Sequence, residues 1–316
     1  MTGVLVGFDV GGTKCAVSTG IEENGKITLL TREEIKTPRL QEDATKAMCA
    51  MAKQQAGEDA ILGIGISAGN PMDSAKGMLL NPPNLPGWTG FSMTDAAQKA
   101  LGAPAKMEND ANACALAEWM WGAGKGADNM VFITFGTGFG SGLILDGRLY
   151  RGKLGNAGEL GHWRISESGP SGYGKIGSWE AWCSGGGIRQ TAITVMERYR
   201  QLGKACAYLD REDISAKVVA ECARNKDAAA LEVMDIVATR LGQGLSLVID
   251  FLNPERIVLG SIYARCGELM RERMQKVLSE ECLSDSLAHC EIVPALLGDR
   301  IGDYAALALA AQAKEA

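Results

Sequence analysis

The chain has 316 residues, 46% of them hydrophobic, with 32 basic against 38 acidic side chains and a net charge of −6. That is enough apolar material for one large core or two moderate ones, and two domains are expected. There is no basic stripe with interleaved aromatics, no run near the roughly 20 apolar residues of a membrane span and no basic leader before the apolar start, so nucleic acid, membrane and secretion are disfavoured; nine scattered cysteines, an odd number, fit reduced thiols in a cytoplasm.

Taken in order, residues 4–30 read as strand, turn, strand, hairpin, strand. An apolar run at 4–8 leads into Asp9-Val10-Gly11-Gly12-Thr13-Lys14, a second run at 15–19 follows, and Asn24-Gly25 turns the chain into 26–30. A carboxylate at the end of the first strand can hold the waters of a Mg²⁺ while Gly11, Gly12 and Thr13 meet phosphate oxygens. Residues 42–56 have helical spacing, and 61–67 alternate Gly with Ile as a buried strand. The stretches 68–73 and 81–88 are loop chemistry rich in Asn and Pro; they are either surface connections or, through Asn84, contacts for a sugar.

Residues 103–107 approach a helix expected over 111–121 and stopped at Gly122. Asp110, at its N-terminus, has two readings: a capping residue, or a catalytic carboxylate held at the start of a helix. After the strand-like run 130–135 come Gly136-Thr137-Gly138-Phe139-Gly140-Ser141-Gly142. Glycines allow backbone N–H groups to turn onto an anion. A dinucleotide turn would open a helix; this one opens a strand, followed by the hairpin signal Asp146-Gly147, so the architecture of residues 4–30 is repeated and the fold looks duplicated.

Glu159 and His162 lie in a glycine-rich loop. A single His is often structural, yet with Glu159 it offers hydrogen bonds to vicinal hydroxyls. A long loop at 169–180 ends in Glu180, and Ser184 to Gly187 open a helix expected over 188–202, whose N-terminus can receive an anion. Residues 203–250 read as mostly helical, 256–260 as a strand whose Gly260-Ser261 turn can approach an adenosine, and 262–280 and 300–313 as helices.

Six motifs in this order, Asp9-Val-Gly-Gly-Thr-Lys14, Asn84-Leu-Pro-Gly-Trp88, Glu108-Asn-Asp-Ala-Asn112, Gly136-Thr-Gly-Phe-Gly140, Gly158-Glu-Leu-Gly-His162 and Gly177-Ser-Trp-Glu180, resemble the ROK family of sugar kinases and related repressors. The resemblance implies an α/β protein of the actin-like ATPase (ribonuclease H-like) fold. Two α/β domains with mixed five-stranded sheets would flank a cleft, one of residues 1–120 plus the C-terminal helix 299–316, the other of residues 121–298. It assigns Asp110 as catalytic base and Asn84, Asn109, Glu159, His162 and Glu180 as sugar contacts. Phosphate contacts fall on Asp9, Gly11, Gly12, Thr13, Lys14, Gly136, Thr137, Gly138 and Gly140, with Gly260 at the adenosine and Ser261 departing from the usual Gly.

The activity so implied is transfer of the ATP γ-phosphoryl group to a hexose hydroxyl, the 6-OH of glucose in the first instance, with Mg²⁺ held through water by Asp9 and with a homodimer as the family's assembly. N-acetylmannosamine, N-acetylglucosamine or fructose are the alternative acceptors, and a sugar-binding regulator without catalysis is the alternative function. A ROK-type repressor would carry a DNA-binding domain ahead of Asp9, so that class is disfavoured. Many family members also hold a zinc with one His and three cysteines before the last Glu. The loop 169–180 contains no cysteine, so no zinc site is expected and packing by Tyr173 and Trp179 takes its place.

Overall fold

The computed structural model describes residues 3–315. The chain begins with β1 (Gly3–Val10), β2 (Lys14–Glu23), β3 (Lys26–Lys36), α1 (Gln41–Ala56) and β4 (Ala60–Ala68). Three short strands, β5 (Met72–Asp73), β6 (Met78–Leu80) and β7 (Thr89–Ser92), precede α2 (Met93–Leu101), β8 (Ala105–Asn109) and α3 (Asp110–Trp121). Next come β9 (Met130–Phe135), β10 (Phe139–Leu145), β11 (Arg148–Tyr150), a 3-10 turn at Leu160–His162, β12 (Ser171–Gly172) and β13 (Lys175–Ile176). The remainder is α4 (Trp179–Cys183), α5 (Gly185–Gln201), α6 (Ala216–Arg224), α7 (Ala228–Leu252), β14 (Arg256–Leu259), α8 (Ile262–Cys266), α9 (Arg271–Glu281), α10 (Ser284–Ala288), β15 (Glu291–Pro294) and α11 (Ile301–Lys314).

Two five-stranded sheets repeat one order, β3-β2-β1-β4-β8 and β11-β10-β9-β14-β15. In the first, β1 pairs antiparallel with β2 and parallel with β4, and β4 pairs parallel with β8. In the second, β10 and β11 are antiparallel, and β14 is parallel to β9 and β15. The hairpin signals act as expected: Asn24 and Gly25 (φ 53° and 68°) and Asp146 and Gly147 (φ 50° and 66°) are left-handed, which gives a two-residue turn the twist of its strands.

The described chain divides into two compact units. One runs to Ala127, takes in Gly142–Ala157 and resumes from Leu296; the other comprises Asp128–Ser141 and Gly158–Ala295. In the first unit the Gly/Ile alternation of β4 sorts the two faces of the sheet. Ile64 and Ile66 enter a core with Phe8, Met48, Trp88 and Met93. On the opposite face a Cβ on Gly65 would lie 1.9 Å from the Ala306 carbonyl oxygen, so the glycine lets the alanine-rich α11 lie directly on the sheet. Glu118, 0% exposed, lies in the last turn of α3 and is matched by backbone donors: Ala123 N at 2.7 Å, Leu296 N at 3.0 Å and Leu297 N at 2.9 Å. It fastens both the segment by which the chain leaves the unit and the one by which it returns.

In the second unit α7 is the buried spine, and Trp179 packs on it where Gly244 has no Cβ; one built there would meet the indole at 2.0 Å. Three expectations change. Residues 203–215 are irregular rather than helical, the stretch 68–92 contributes a small three-stranded sheet, and α10 with β15 fills a region where no element was expected. The last two consist of elements of two to five residues, too short for a periodic pattern to register. Among the described residues no helix is long and apolar enough to cross a membrane, and all nine cysteines are unbridged.

Candidate functional site

In the first unit the turn after β1 is built against two neighbours. Gly11 N donates to the Lys14 carbonyl at 3.0 Å, while the Thr37 hydroxyl donates to Gly11 O at 2.6 Å. A Cβ on Gly12 would stand 2.4 Å from the Asn84 carbonyl oxygen, so this glycine is what lets the 81–88 loop close on the turn. Thr13 and Lys14 are exposed, and the Lys14 ammonium pairs with Glu34 at 2.8 Å. Asp9, one residue before the end of β1, has its carboxyl pushed up to about 6, first by burial and then by the neighbouring carboxylates of Asp303 and Asp110. Asp303, 3% exposed, is itself held by Arg32 and Ser18 at 2.9 and 2.8 Å.

Asp110 is not the cap of α3. Asn109 is: its side chain accepts from Asn112 N at 2.8 Å, and Asp110 is the first helical residue. The reading of Asp110 as a capping residue is therefore corrected, because the chain reaches its extended cap geometry (φ −67°, ψ 154°) one residue earlier, where β8 ends. Asp110 is exposed and its Oδ1 accepts from Ala111 N at 2.8 Å. Asn109 is buried, with its oxygen committed to the helix, which leaves Nδ2 as the end that can donate to a ligand.

In the second unit the turn after β9 closes differently. Gly136 N donates to Gly138 O at 3.0 Å, and Gly136 O accepts from Gly185 N at 2.7 Å, so the turn is seated on the N-terminus of α5, whose cap is Ser184. Phe139 N donates to Glu180 Oε2 at 3.0 Å. Glu180 is half-buried, its carboxyl raised by burial, opposed by that Phe139 N–H and by His162, and raised again by Glu159. Glu159, His162 and Glu180 thus face one another electrostatically, while Glu159 and His162 are exposed on the 3-10 turn. Thr137 and Gly138 are exposed at the tip of the turn, Gly140 lies within β10, and Ser261 Oγ is 3.0 Å from where a Cβ on Gly136 would be. Gly260 is buried, and Ser261 adopts φ 54°, a backbone region that glycine enters most easily.

The loop before Glu180 is held by the β12–β13 hairpin, by Gln190 bonding Ser171 N and O at 3.0 and 2.9 Å, and by Trp182 Nε1 on Ser166 at 2.8 Å. Trp179 is fully buried, 4.7 Å from the Phe139 ring and stacked 6.2 Å from Trp163. Tyr173, expected to bury its ring, is 77% exposed instead; it sits at φ 48° at the hairpin tip, where a side chain points to solvent. Among the described residues no group of three or more His, Cys, Asp or Glu is placed to hold a metal ion. Mg²⁺ in phosphoryl transfer does not need such a cage, since it binds through one or two carboxylates, water and the phosphates themselves. The surplus of negative charge at Asp9, Asp110 and Asp303 fits that role.

One feature went unassigned in the sequence. A cavity of about 400 Å³ opens between α6 and α8, lined by Lys217, Glu221, Arg224, Ile262, Arg265 and Cys266. Ile262 Cδ1 is 3.9 Å from where a Cβ on Gly185 would lie, so the cavity adjoins the seat of the second turn. Its signal in the sequence is the spacing of Ala216 and Ala220, four apart on one helical face.

The ROK family model matches residues 5–313. The chain belongs to the ROK family. A glucokinase of Halalkalibacterium halodurans is 32% identical over 308 residues, covering 94% of this chain and 92% of that one. The structure of a ROK family glucokinase from Streptomyces griseus in complex with glucose and AMPPNP is 30% identical, covers 98% of this chain and 100% of that one, and superposes with a TM-score of 0.77. A ROK family transcriptional regulator, a homologue of the E. coli MLC protein, is 25% identical with a TM-score of 0.87 and covers 99% of this chain and 79% of its own. The fold of this ROK protein is the actin-like ATPase fold expected from its motifs, and the duplicated sheet order is its signature.

Proposed function

We propose that this ROK protein phosphorylates the 6-hydroxyl of glucose or a closely related aldohexose, with ATP as donor and Mg²⁺ as the metal. That it is an ATP-dependent sugar kinase rests on the family and on glucokinase relatives matched over almost their whole length. The finer reading is carried by one observation: Asn109 takes over the capping of α3 and so leaves the Asp110 carboxylate exposed in the first helical turn.

Asp110 accepts the proton of the sugar hydroxyl as its oxygen bonds to the γ-phosphorus and the bond to the β-phosphate bridging oxygen breaks, giving ADP and the sugar phosphate. The N–H groups that the turns leave unused, those of Gly12 and Thr13 in the first and of Thr137 and Gly138 in the second, face the phosphate oxygens. Mg²⁺, when bound, neutralises charge on the phosphates, and Asp9 is the residue to hold its waters. Glu159, His162, Glu180, Asn84 and the Nδ2 of Asn109 orient the sugar by its hydroxyls. The cavity beside α6 and the Gly260-Ser261 turn is suited to the nucleoside. Nine unbridged thiols support a reducing compartment, the cytoplasm, and the family pattern makes a homodimer the assembly to test by light scattering.

The deciding experiment is a coupled ADP assay over glucose, mannose, fructose, N-acetylglucosamine and N-acetylmannosamine, with product mass checked for one added phosphoryl group. Glucose is expected to give the highest kcat/KM; a preference for an N-acetylhexosamine or fructose overturns the acceptor assignment, and no sugar-dependent ADP release favours a regulator. Asp110→Asn is expected to bind both ligands and to turn over on the order of 100-fold or more slowly.

A further inference from the structure

The acid immediately before the Asn109-Asp110 pair has no part in the chemistry above, yet it accepts from four donors. Glu108 is 1% exposed. Its Oε1 accepts from Asn109 N at 3.0 Å, Asn112 Nδ2 at 3.2 Å and the Ser74 hydroxyl at 3.4 Å, and its Oε2 accepts from Arg151 Nε. One side chain therefore ties the end of β8, the first turn of α3 and the loop after β5 to a single cation, Arg151, just beyond β11.

Asn112 shows how much rests on this contact. It is 0% exposed, its N–H completes the Asn109 cap, and its amide is oriented by Glu108 while its Oδ1 is buried without a hydrogen-bond partner. The segment that supplies Arg151 also braces the helix from another side: a Cβ on Gly142 would lie 2.6 Å from Ala115 Cβ and 2.8 Å from Ala111 O. All these residues belong to the first unit. A buried carboxylate that loses its only cation either turns outward or takes up a proton. Turned outward, it takes away the acceptor that fixes Asn109 and Asn112; protonated, it accepts from them more weakly than a carboxylate does.

We propose that Arg151 is a positioning residue for phosphoryl transfer: it holds Glu108 against Asn109 and Asn112 and so fixes the turn that presents Asp110. The inference rests on the reading of Asp110 as the base. A misplacement of about 1 Å at such a group costs on the order of 100-fold in rate, and a loosened turn costs part of that.

The test compares Arg151→Gln, Arg151→Lys, Glu108→Gln and the Arg151→Gln/Glu108→Gln double variant with Asp110→Asn, measuring kcat, glucose Kd by calorimetry and the thermal midpoint. Arg151→Gln is expected to lower kcat on the order of tenfold while glucose Kd stays within about threefold. Arg151→Lys should recover most of the rate, because a point charge can still reach the carboxylate, and the double variant should be no slower than Glu108→Gln alone. A fast Arg151→Gln beside a slow Asp110→Asn overturns the role of Arg151 only. Parallel loss of rate, affinity and thermal midpoint without rescue by Lys makes Arg151 merely structural. A fast Asp110→Asn removes the base and this inference together.

Discussion

At the end of β1 stands Asp9, and at the matching position of β9 stands Thr134; around them the two glycine turns occupy the same place in sheets of the same order. The first turn leans on the Asn84 backbone and keeps a crowded carboxylate behind it. The second leans on the N-terminus of α5 and donates Phe139 N to Glu180. Each turn thus touches one residue proposed for the sugar, Asn84 in the first and Glu180 in the second, and the first also has the buried carboxyl of Asp9 behind it. On the proposed reading, the first turn serves a metal-associated phosphate and the second offers backbone donors.

The sharpest way to break this comparison is to truncate the two strand-end side chains in turn. Asp9→Ala is expected to lower kcat on the order of 100-fold, the scale on which loss of one charge-stabilising group is felt, whereas Thr134→Ala should change it by less than about threefold; equal losses in kcat assays would dissolve the distinction. Asp9 also gives the comparison a pH signature. Its carboxyl sits at about 6 against an ordinary 3.8, so the ligand-free fold binds its proton more readily than the unfolded chain does and loses this contribution as pH rises from near 4 through 6. Protons should compete with Mg²⁺ in the same window: the half-saturating Mg²⁺ concentration should climb as pH falls through 6, and Asp9→Asn should flatten that dependence. A wild-type Mg²⁺ requirement that ignores pH between 5 and 7 would refute the assignment.

Gly12→Ala and Gly138→Ala test the turns themselves. The first puts a methyl 2.4 Å from the Asn84 carbonyl and should destabilise by about 1 to 3 kcal/mol with a raised sugar KM; the second meets only Glu180 Oε2 at 3.4 Å and should be nearly silent in thermal melts. His162→Ala should raise sugar KM on the order of tenfold, about one hydrogen bond, and leave ATP KM within about twofold; equal rises would tie His162 to the nucleotide or to folding. Last and smallest, chelation followed by Mg²⁺ alone should restore full activity, since Trp179, Gln190 and Trp182 hold the loop before Glu180 without a thiolate cluster. About one zinc per chain, with activity lost on stripping, would overturn that.

What the sequence determined by itself is local. Runs of alternating or apolar residues, Asn-Gly and Asp-Gly turns and clustered glycines depend on neighbours a few positions away, which is why both strand-turn-strand units and the helix after Asp110 could be read directly, whereas the roles of the site motifs came from their resemblance to a family. Tertiary structure decided what depends on distant partners. Which strands pair, and that Ile64 and Gly65 point to different helices, follow from packing that no local period encodes. That Asn109 rather than Asp110 caps α3 was fixed by where β8 stops in its pairing with β4. The upward shift of the Asp9 carboxyl comes first from burial and then from Asp303, almost 300 positions away, and the burial of Trp179 needs Gly244 on α7. Charge crowding and burial are properties of atoms brought together by the fold, and a linear order of residues carries them only after the chain has closed on itself.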